Sequence, residues 1–353
     1  MSRIVDRLRP PLSVIIPVCN RGDLIRYTLE SVRRASEGLS IEVVILDDGS
    51  TEPAEAAIRR LGFSPERIIR QENQGLLFAR LAGLRAATGK YVLFLDSDDL
   101  ISSDKLRLQI AALEESGAEV SYSDTARTTL DREFDELVIE PDAPAETTAD
   151  GTTFFIRVQP APHSPVFRTD FLRKVVAEAC FPPDPLYNPV AEIWFYHNAA
   201  IHPSLAVKVP GPHTIIGSHP GTRLTNHWER LGVASLAVME AFARTCPRTP
   251  ATARARQLVA EKAFHAWRRL PRGFSREFDR RELEVWRTLR QSRDTAKLGG
   301  KAFQLLACGM GPAAAARLLR RWQNGSYENC RSMDDAAVRA LLDKLSPPNK
   351  RTT

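Results

Sequence analysis

The stretch "KYVLFLDSDD", residues 90–99, runs five apolar side chains into three carboxylates, Asp96, Asp98 and Asp99. Acids packed this closely repel one another unless a cation or a donor-rich ligand relieves them. Asp96 and Asp98 are two residues apart, so extended backbone would project both to one side. Oxygen ligands in that arrangement suit Mg²⁺ or Mn²⁺, which are bound by one or two carboxylates together with substrate phosphates. A D-x-D pair taken alone is equally a pair of loop acids, and Ser102 or Ser103 before "DKL" offers an ordinary helix cap. A second acidic turn, "ILDDGST" (45–51), carries Asp47 and Asp48. It reads either as a strand-to-helix turn with a capping acid, or as a carboxylate placed to accept hydrogen bonds from a nucleobase or ribose.

Both turns fall at the ends of apolar runs. "LSVIIP" (12–17), "IEVVIL" (41–46), "RIIRQ" (67–71), "YVLFL" (91–95) and "EVSYS" (119–123) read as strands. Between them lie helical patterns at 22–35, 53–61, 75–87 and 103–116. Near-continuous Val/Ile/Leu strands alternating with helices imply an α/β fold, a mostly parallel sheet covered on both faces. Such sheets bind ligands beyond the carboxyl ends of their strands, where "PVCN", "DDGS" and "DSDD" all fall. From 125 to 165 the periodicity weakens and a surface excursion is expected. A strand and a helix capped near Thr169 follow at 164–179, then a helix at 190–200 with Ile193, Trp194 and His197 inward. "LAVKVP" is a strand, and "IIGSHPGTRLTNH" is another that leaves into a loop. Beyond 228 the chain is rich in Ala, Leu and Arg and reads as helical.

"LSVIIPVCNR", "VVILDDGST" and "ENQGLLFARLAGLRAATGKYVLFLDSDD", with the spacing between them, resemble a family 2 glycosyltransferase. The likeness is strong over 12–125 and looser over 164–227. It implies a GT-A fold at residues 1–227, followed by a basic, mainly helical region at 228–353. It also implies inverting transfer of a sugar from a nucleotide-diphosphate donor, UDP-linked, to an acceptor hydroxyl in polysaccharide or glycoconjugate synthesis, with Mn²⁺ or Mg²⁺ as cofactor. By position, the resemblance puts Pro17, Cys19 and Asn20 in the first nucleotide-facing loop and Asp48 at the base. Gly75 and Arg80 approach base and diphosphate. Asp96 takes the sugar or ribose, and Asp98 the metal. His219 in "GSHPGTRLT" matches a late position that contacts metal or diphosphate in some relatives; a lone His is more often structural.

Two positions depart from the family pattern. Cys19 replaces the usual aromatic residue and offers little stacking area. Where the family has Glu-Asp, this chain has Ala191-Glu192, so Glu192 takes the general-base role, with one methylene more of reach, and Asp184 is the fallback. The bland reading of Glu192 is a helix-N-terminal acid favoured by the dipole. A sugar-phosphate nucleotidylyltransferase would need a Gly-rich, Lys/Arg-bearing loop after the first strand, and "PVCNRGD" has one glycine. A non-catalytic module retaining the fold is the other alternative, motivated by Cys19 and Ala191.

The net charge of +6 hides an asymmetry. Residues 1–227 hold 24 Lys+Arg against 31 Asp+Glu, and residues 228–353 hold 25 against 12. The basic rear can meet an anionic surface or stand as a solvated helical face. "AAAARLLRRWQ" (313–323) groups Leu318, Leu319 and Trp322 beside Arg317, Arg320 and Arg321, which suits peripheral contact with an anionic membrane. No nucleic-acid partner is expected. The five cysteines are far apart and unpaired by spacing, which favours a reducing cytoplasm. No secretory leader is expected from the first residues, and no stretch reaches the roughly 18 apolar residues of a membrane span.

Overall fold

The computed structural model describes residues 11–220, 226–291 and 296–345. They form two compact units. One draws on residues 11–179 and 202–220 and contains the sheet; the other draws on 180–201 and on the described residues after 221 and is helical.

In the sheet unit, β1 (Leu12–Val18), β2 (Ile41–Asp48), β3 (Arg67–Gln71) and β4 (Tyr91–Phe94) are joined through α1 (Ile25–Ala35), α2 (Ala54–Arg60) and α3 (Leu76–Ala86). They pair in parallel in the order β3-β2-β1-β4. All seven residues of β1 are buried because helices cover both faces, which is why its sequence is continuously apolar rather than alternating. Leu12, Val14, Ile16 and Val18 point to one face and pack with Ile25, Leu29 and Val32 of α1, while α3 packs against β1 and β2. Pro17 has no amide to donate, and it lies past the last β4 partner, Ile15↔Phe94.

The other half of the sheet is mixed. After β5 (Leu100–Ile101) and α4 (Lys105–Ser116), β6 (Val120–Thr129) carries a short partner β7 (Glu140–Pro141). β8 (Val166–Arg168), α5 (Thr169–Ala177) and β9 (Ala206–Ser218) complete the unit. β8 runs antiparallel to both β4 and β6, β9 is parallel to β6, and β5 is antiparallel to β9. Thr169 does not cap α5: its hydroxyl donates to Gly89 O at 2.8 Å, and the cap position is Arg168. Neither Ser102 nor Ser103 caps α4, whose cap position is Asp104. The two strands expected around 205–218 are one strand. "PGP" reads as a break because both prolines lack a donor. A register shift between Ser123 and Thr125 absorbs it, with Gly211 N donating to Asp124 at 3.1 Å.

The helical unit contains α6 (Ala191–Ala199), α7 (Trp228–Thr245), α8 (Pro250–Arg269), α9 (Arg276–Leu289), α10 (Lys301–Met310), α11 (Pro312–Gln323) and α12 (Asp335–Leu342). Trp194, Phe242, Phe264 and Trp267 are buried at its centre. Truncating any of these aromatics costs about 3–5 kcal/mol. α11 turns Ala315 and Ala316 inward, and the guanidinium groups of Arg317 and Arg320 lie over Trp267. Leu318 and Trp322 therefore point outward, with Trp322 83% exposed. Part of the loop expected after "IIGSHP", residues 221–225, lies outside the described residues.

Candidate functional site

The ends of β1, β2 and β4 and the far end of β9 place the polar residues of the sheet unit in two adjoining groups. The first gathers the loops after β1 and β2. Asp47 is consumed by its own turn, accepting from Ser50 N at 2.9 Å and Ala54 N at 3.0 Å, where it stabilises the start of α2. Asp48 reaches across to the next loop instead. Its Oδ1 accepts from Gln71 Nε2 at 2.8 Å and Gln74 N at 3.0 Å, and its Oδ2 accepts from Gly75 N at 2.8 Å. Gly75 has φ +91°, a conformation L side chains rarely adopt, and this turns its amide toward Asp48. Asn20, at φ +53°, bridges from β1: its amide donates to Ser50 Oγ and its side chain accepts from Thr51 N. Cys19 stands at the edge, with Asn73 Nδ2 3.3 Å from its sulfur. Burial, and then the Asp48 charge, push its thiol above the ordinary range, so it is no activated thiolate.

The second group forms around "DSDD". Arg80, fully buried on α3, holds Asp96 Oδ1 at 2.6 Å. Asp98 Oδ2 lies 3.0 Å from His219 Nε2, and Arg21 Nη1 is 3.4 Å from the same nitrogen. An Nε2–H that donates to Asp98 has no lone pair left for Arg21, so only one of the two contacts is a hydrogen bond. Asp99 is turned inward. Its Oδ1 accepts from Gly217 N at 2.9 Å, its Oδ2 lies 3.1 Å from His163 Nδ1, and its carbonyl accepts from Thr28 Oγ1 at 2.8 Å. A Cβ on Gly217 would collide with the Asp98 carbonyl, so only glycine lets β9 run this close to the acidic loop. Asp99 thus ties the acidic loop to the strand that ends at His219. His163 is wholly buried, and burial pushes its pKa down to about 3. The neutral ring can donate to only one of Ile215 O, at 3.2 Å, and Asp99.

The expected residues Pro17, Cys19, Asn20, Asp48, Gly75, Arg80, Asp96, Asp98 and His219 therefore all belong to the sheet unit. Asp98 and His219, about 120 residues apart in sequence, come within hydrogen-bonding distance. Arg21, His163 and Gly217 are additions that sequence reading missed. "APHSP" shows no periodicity, and the partnership of His163 with Asp99 exists only through the sheet order β4-β8-β6-β9. Glu192 belongs to the other unit, in the first turn of α6. There the Lys262 ammonium interacts with its charge. Asp184 caps its own turn, accepting from Leu186 N at 2.8 Å.

A divalent ion fits the donor set. Asp98 offers a carboxylate oxygen suited to Mn²⁺ or Mg²⁺, and His219 beside it an imidazole nitrogen that the softer Mn²⁺ accepts more readily than Mg²⁺. Among the described residues no group of three or more His, Cys, Asp or Glu is arranged to hold an ion unaided.

Residues 13–176 match the profile of the family described as Glycosyl transferase family 2. Among curated relatives, an uncharacterized glycosyltransferase of Rickettsia bellii is 37% identical over 35% of this chain and 17% of its own length. The succinoglycan biosynthesis protein ExoO of Rhizobium meliloti is 32% identical over 36% of each. The chain therefore spans well under half the length of these relatives. Residues 1–349 of S. aureus TarS, solved in complex with UDP-GlcNAc, superpose with a TM-score of 0.62 at 17% identity, covering 91% of this chain and 92% of that one. A mannosyltransferase from Pyrobaculum calidifontis, in complex with GDP-Man and Mn²⁺, gives 0.52 at 17% identity, covering 89% and 88%. At this identity the solved structures establish a shared GT-A-like fold.

Proposed function

Residues 13–176 being a family 2 glycosyltransferase domain, we propose that the chain is an inverting glycosyltransferase. It moves a sugar from a UDP-linked donor to an acceptor hydroxyl in polysaccharide or glycoconjugate synthesis. The observation that carries this reading is the pairing of Asp98 with His219 beside the Arg80–Asp96 ion pair, at the strand ends and next to the Asp48 loop. In this reading the first group receives the base, with Asp48 holding the 71–75 loop in shape and presenting its remaining acceptor capacity. Arg80 fixes Asp96, so that its free oxygen can take sugar or ribose hydroxyls. Asp98 and His219 would hold Mn²⁺ or Mg²⁺, whose charge neutralises the departing diphosphate. Arg21 adds a guanidinium on the same side.

Glu192 is our candidate for the group that removes the acceptor proton as its oxygen attacks the anomeric carbon in line. The Lys262 ammonium interacts with its charge. TarS with UDP-GlcNAc and the mannosyltransferase with GDP-Man and Mn²⁺ support a nucleotide-sugar donor and a divalent ion by analogy of fold.

No helix among the described residues is long and apolar enough to cross a membrane. We propose a cytoplasmic protein that touches an anionic membrane through α10 and α11. Support comes from Leu305, Met310, Leu318 and Trp322, exposed together with Arg317 and Arg321. That disposition suits an interfacial helix and a lipid-linked or cell-surface acceptor. Residues 1–227 remain our proposed catalytic region and 228–353 its helical extension.

The test is a thermal-shift screen of nucleotide sugars with and without Mn²⁺. A saturating donor at about 100 times its Kd adds roughly 2.7 kcal/mol. One UDP-sugar should raise Tm much more with Mn²⁺ than without it and should then be hydrolysed slowly. A shift without hydrolysis would make the chain a binding module, and no shift with any donor would overturn the reading.

A further inference from the structure

The helical unit contains a feature that sugar transfer does not use. Where α6, α7, α8 and α9 converge there is a cavity of about 200 Å³, walled by Trp228, Met239 and Phe278 and reached by His197, Lys262 and Glu282. Cavities between bundled helices are a common place for small ligands. Two polar atoms here lack partners among the described residues: His197 Nε2 and Glu282 Oε2, on residues that are 0% and 2% exposed. Native interiors rarely leave such atoms unmatched.

The chemistry of the walls restricts what can match them. His197 Nδ1 is 2.9 Å from Ile193 O, and a carbonyl only accepts, so Nδ1 carries the proton and Nε2 presents a lone pair. Burial pushes this imidazole down to about 3 and raises the Glu282 carboxyl well above its usual range. The cavity therefore offers an acceptor on His197 and, on Glu282, a carboxyl that burial drives toward its protonated, donating form, with the Lys262 side chain also on its wall. A ligand amine would meet the Lys262 charge, and a ligand carboxylate would meet the His197 lone pair. A hydroxyl suits the two unmatched atoms together, donating to His197 while accepting from Glu282. Apart from Ser235 the remaining surface is apolar and aromatic, and a dry cavity of about 150 Å³ is known to take benzene.

We propose that this cavity is a binding site for a small uncharged alcohol with an apolar body of about one ring. The site shares Lys262 with the surroundings of Glu192, the proposed base, but none of the residues assigned to donor binding lines it.

Phenol and toluene are the decisive pair of probes, titrated into the full chain by calorimetry, with benzylamine and benzoate as charged controls. Phenol should bind about tenfold more tightly than toluene, the worth of one well-made hydrogen bond, and the charged probes should bind more weakly still. His197→Phe should bring phenol down to the level of toluene while toluene still binds. Met239→Trp should abolish both by filling the space. In the parent protein the ¹⁵N resonance of His197 Nε2 should move with phenol and not with toluene, a readout that needs no variant. The proposal is overturned if phenol shows no advantage, if binding survives Met239→Trp, or if no probe binds and the cavity holds water only.

Discussion

The two units of this chain treat ionisable groups in opposite ways. At the strand ends of the sheet unit the acids are given donors: Asp48 three, Asp96 the Arg80 guanidinium, Asp98 the His219 ring and Asp99 the Gly217 amide. In the helical unit Glu282, His197 and Lys262 sit among apolar side chains, and burial pushes all three toward their neutral forms. Partnered charge at a mouth can be exchanged for a ligand's charge, whereas charge suppressed by burial shapes a cavity for neutral groups. Lys105 shows that the division concerns the site and not the whole sheet unit. It is wholly buried and pushed well below its usual range, although Ser164 O and Thr214 Oγ1 accept from it at 2.9 and 3.0 Å.

The contrast is sharpest at Glu192, the one charged group we assign to chemistry in the helical unit. Glu192→Gln should lower turnover by roughly 10²–10⁴-fold, the range for a lost general base, with donor affinity unchanged. Transfer at the parental rate would move the base elsewhere, Asp184 first.

Lys262 tests the cost of suppressed charge. Its pKa is about 8 in the folded chain against 10.5 for the free side chain. Below pH 8 it is protonated in both states, and the folded state bears the full cost of a buried ammonium. The unfolded chain binds more protons between pH 8 and 10.5, so stability rises across that window and the cost is gone above it. Lys262→Met should therefore stabilise the protein by about 2–3 kcal/mol at pH 7, and by about 1 kcal/mol less at pH 9. Denaturant midpoints at the two pH values check this; an advantage independent of pH would mean the gain comes from packing.

On the partnered side, Asp48→Ala should weaken UDP binding about tenfold even in EDTA, because Gln74 N and Gly75 N lose their acceptor and the loop its shape. Unchanged affinity would return "DDGS" to a plain turn. A smaller effect is expected at Asp99. Asp99→Ala should lower Mn²⁺-dependent UDP affinity about fivefold without affecting binding in EDTA, and Asp99→Asn, which still accepts from Gly217, should recover most of the loss. If both variants behave alike, the Gly217 contact does not position His219.

What was legible in the sequence follows the same physics. Strands covered on both faces announce themselves as unbroken apolar runs, so β1, β2 and β4 are readable to within a residue or two. Short β5 is not, because two residues carry no period, whereas β8 shows as the short apolar run before the 169–177 helix. Asp96, Asp98 and Asp48 are visible because acids at the end of an apolar run need a reason. Their partners are not, since His163, Arg21 and Gly217 acquire meaning only when β9 is laid beside the acidic loop. The side on which α11 turns its arginines was also hidden: the sequence groups Leu318, Leu319 and Trp322 without saying whether they face a membrane or the protein, and Arg317 and Arg320 stack on Trp267 while Leu318 and Trp322 are exposed. Nor does anything local in residues 180–201 show that they join the later helices.

The central claim is that the strand ends form a metal-dependent nucleotide-diphosphate site built on Asp98 and His219. Calorimetric titration of UDP into the parent protein and Asp98→Asn, each with Mn²⁺ and with EDTA, tests it most directly. The account predicts that Mn²⁺ tightens UDP binding to the parent by at least about a hundredfold. It also predicts that Asp98→Asn loses this gain while keeping the parent's EDTA affinity and thermal stability. Equal Mn²⁺-dependent binding by the two proteins would contradict it.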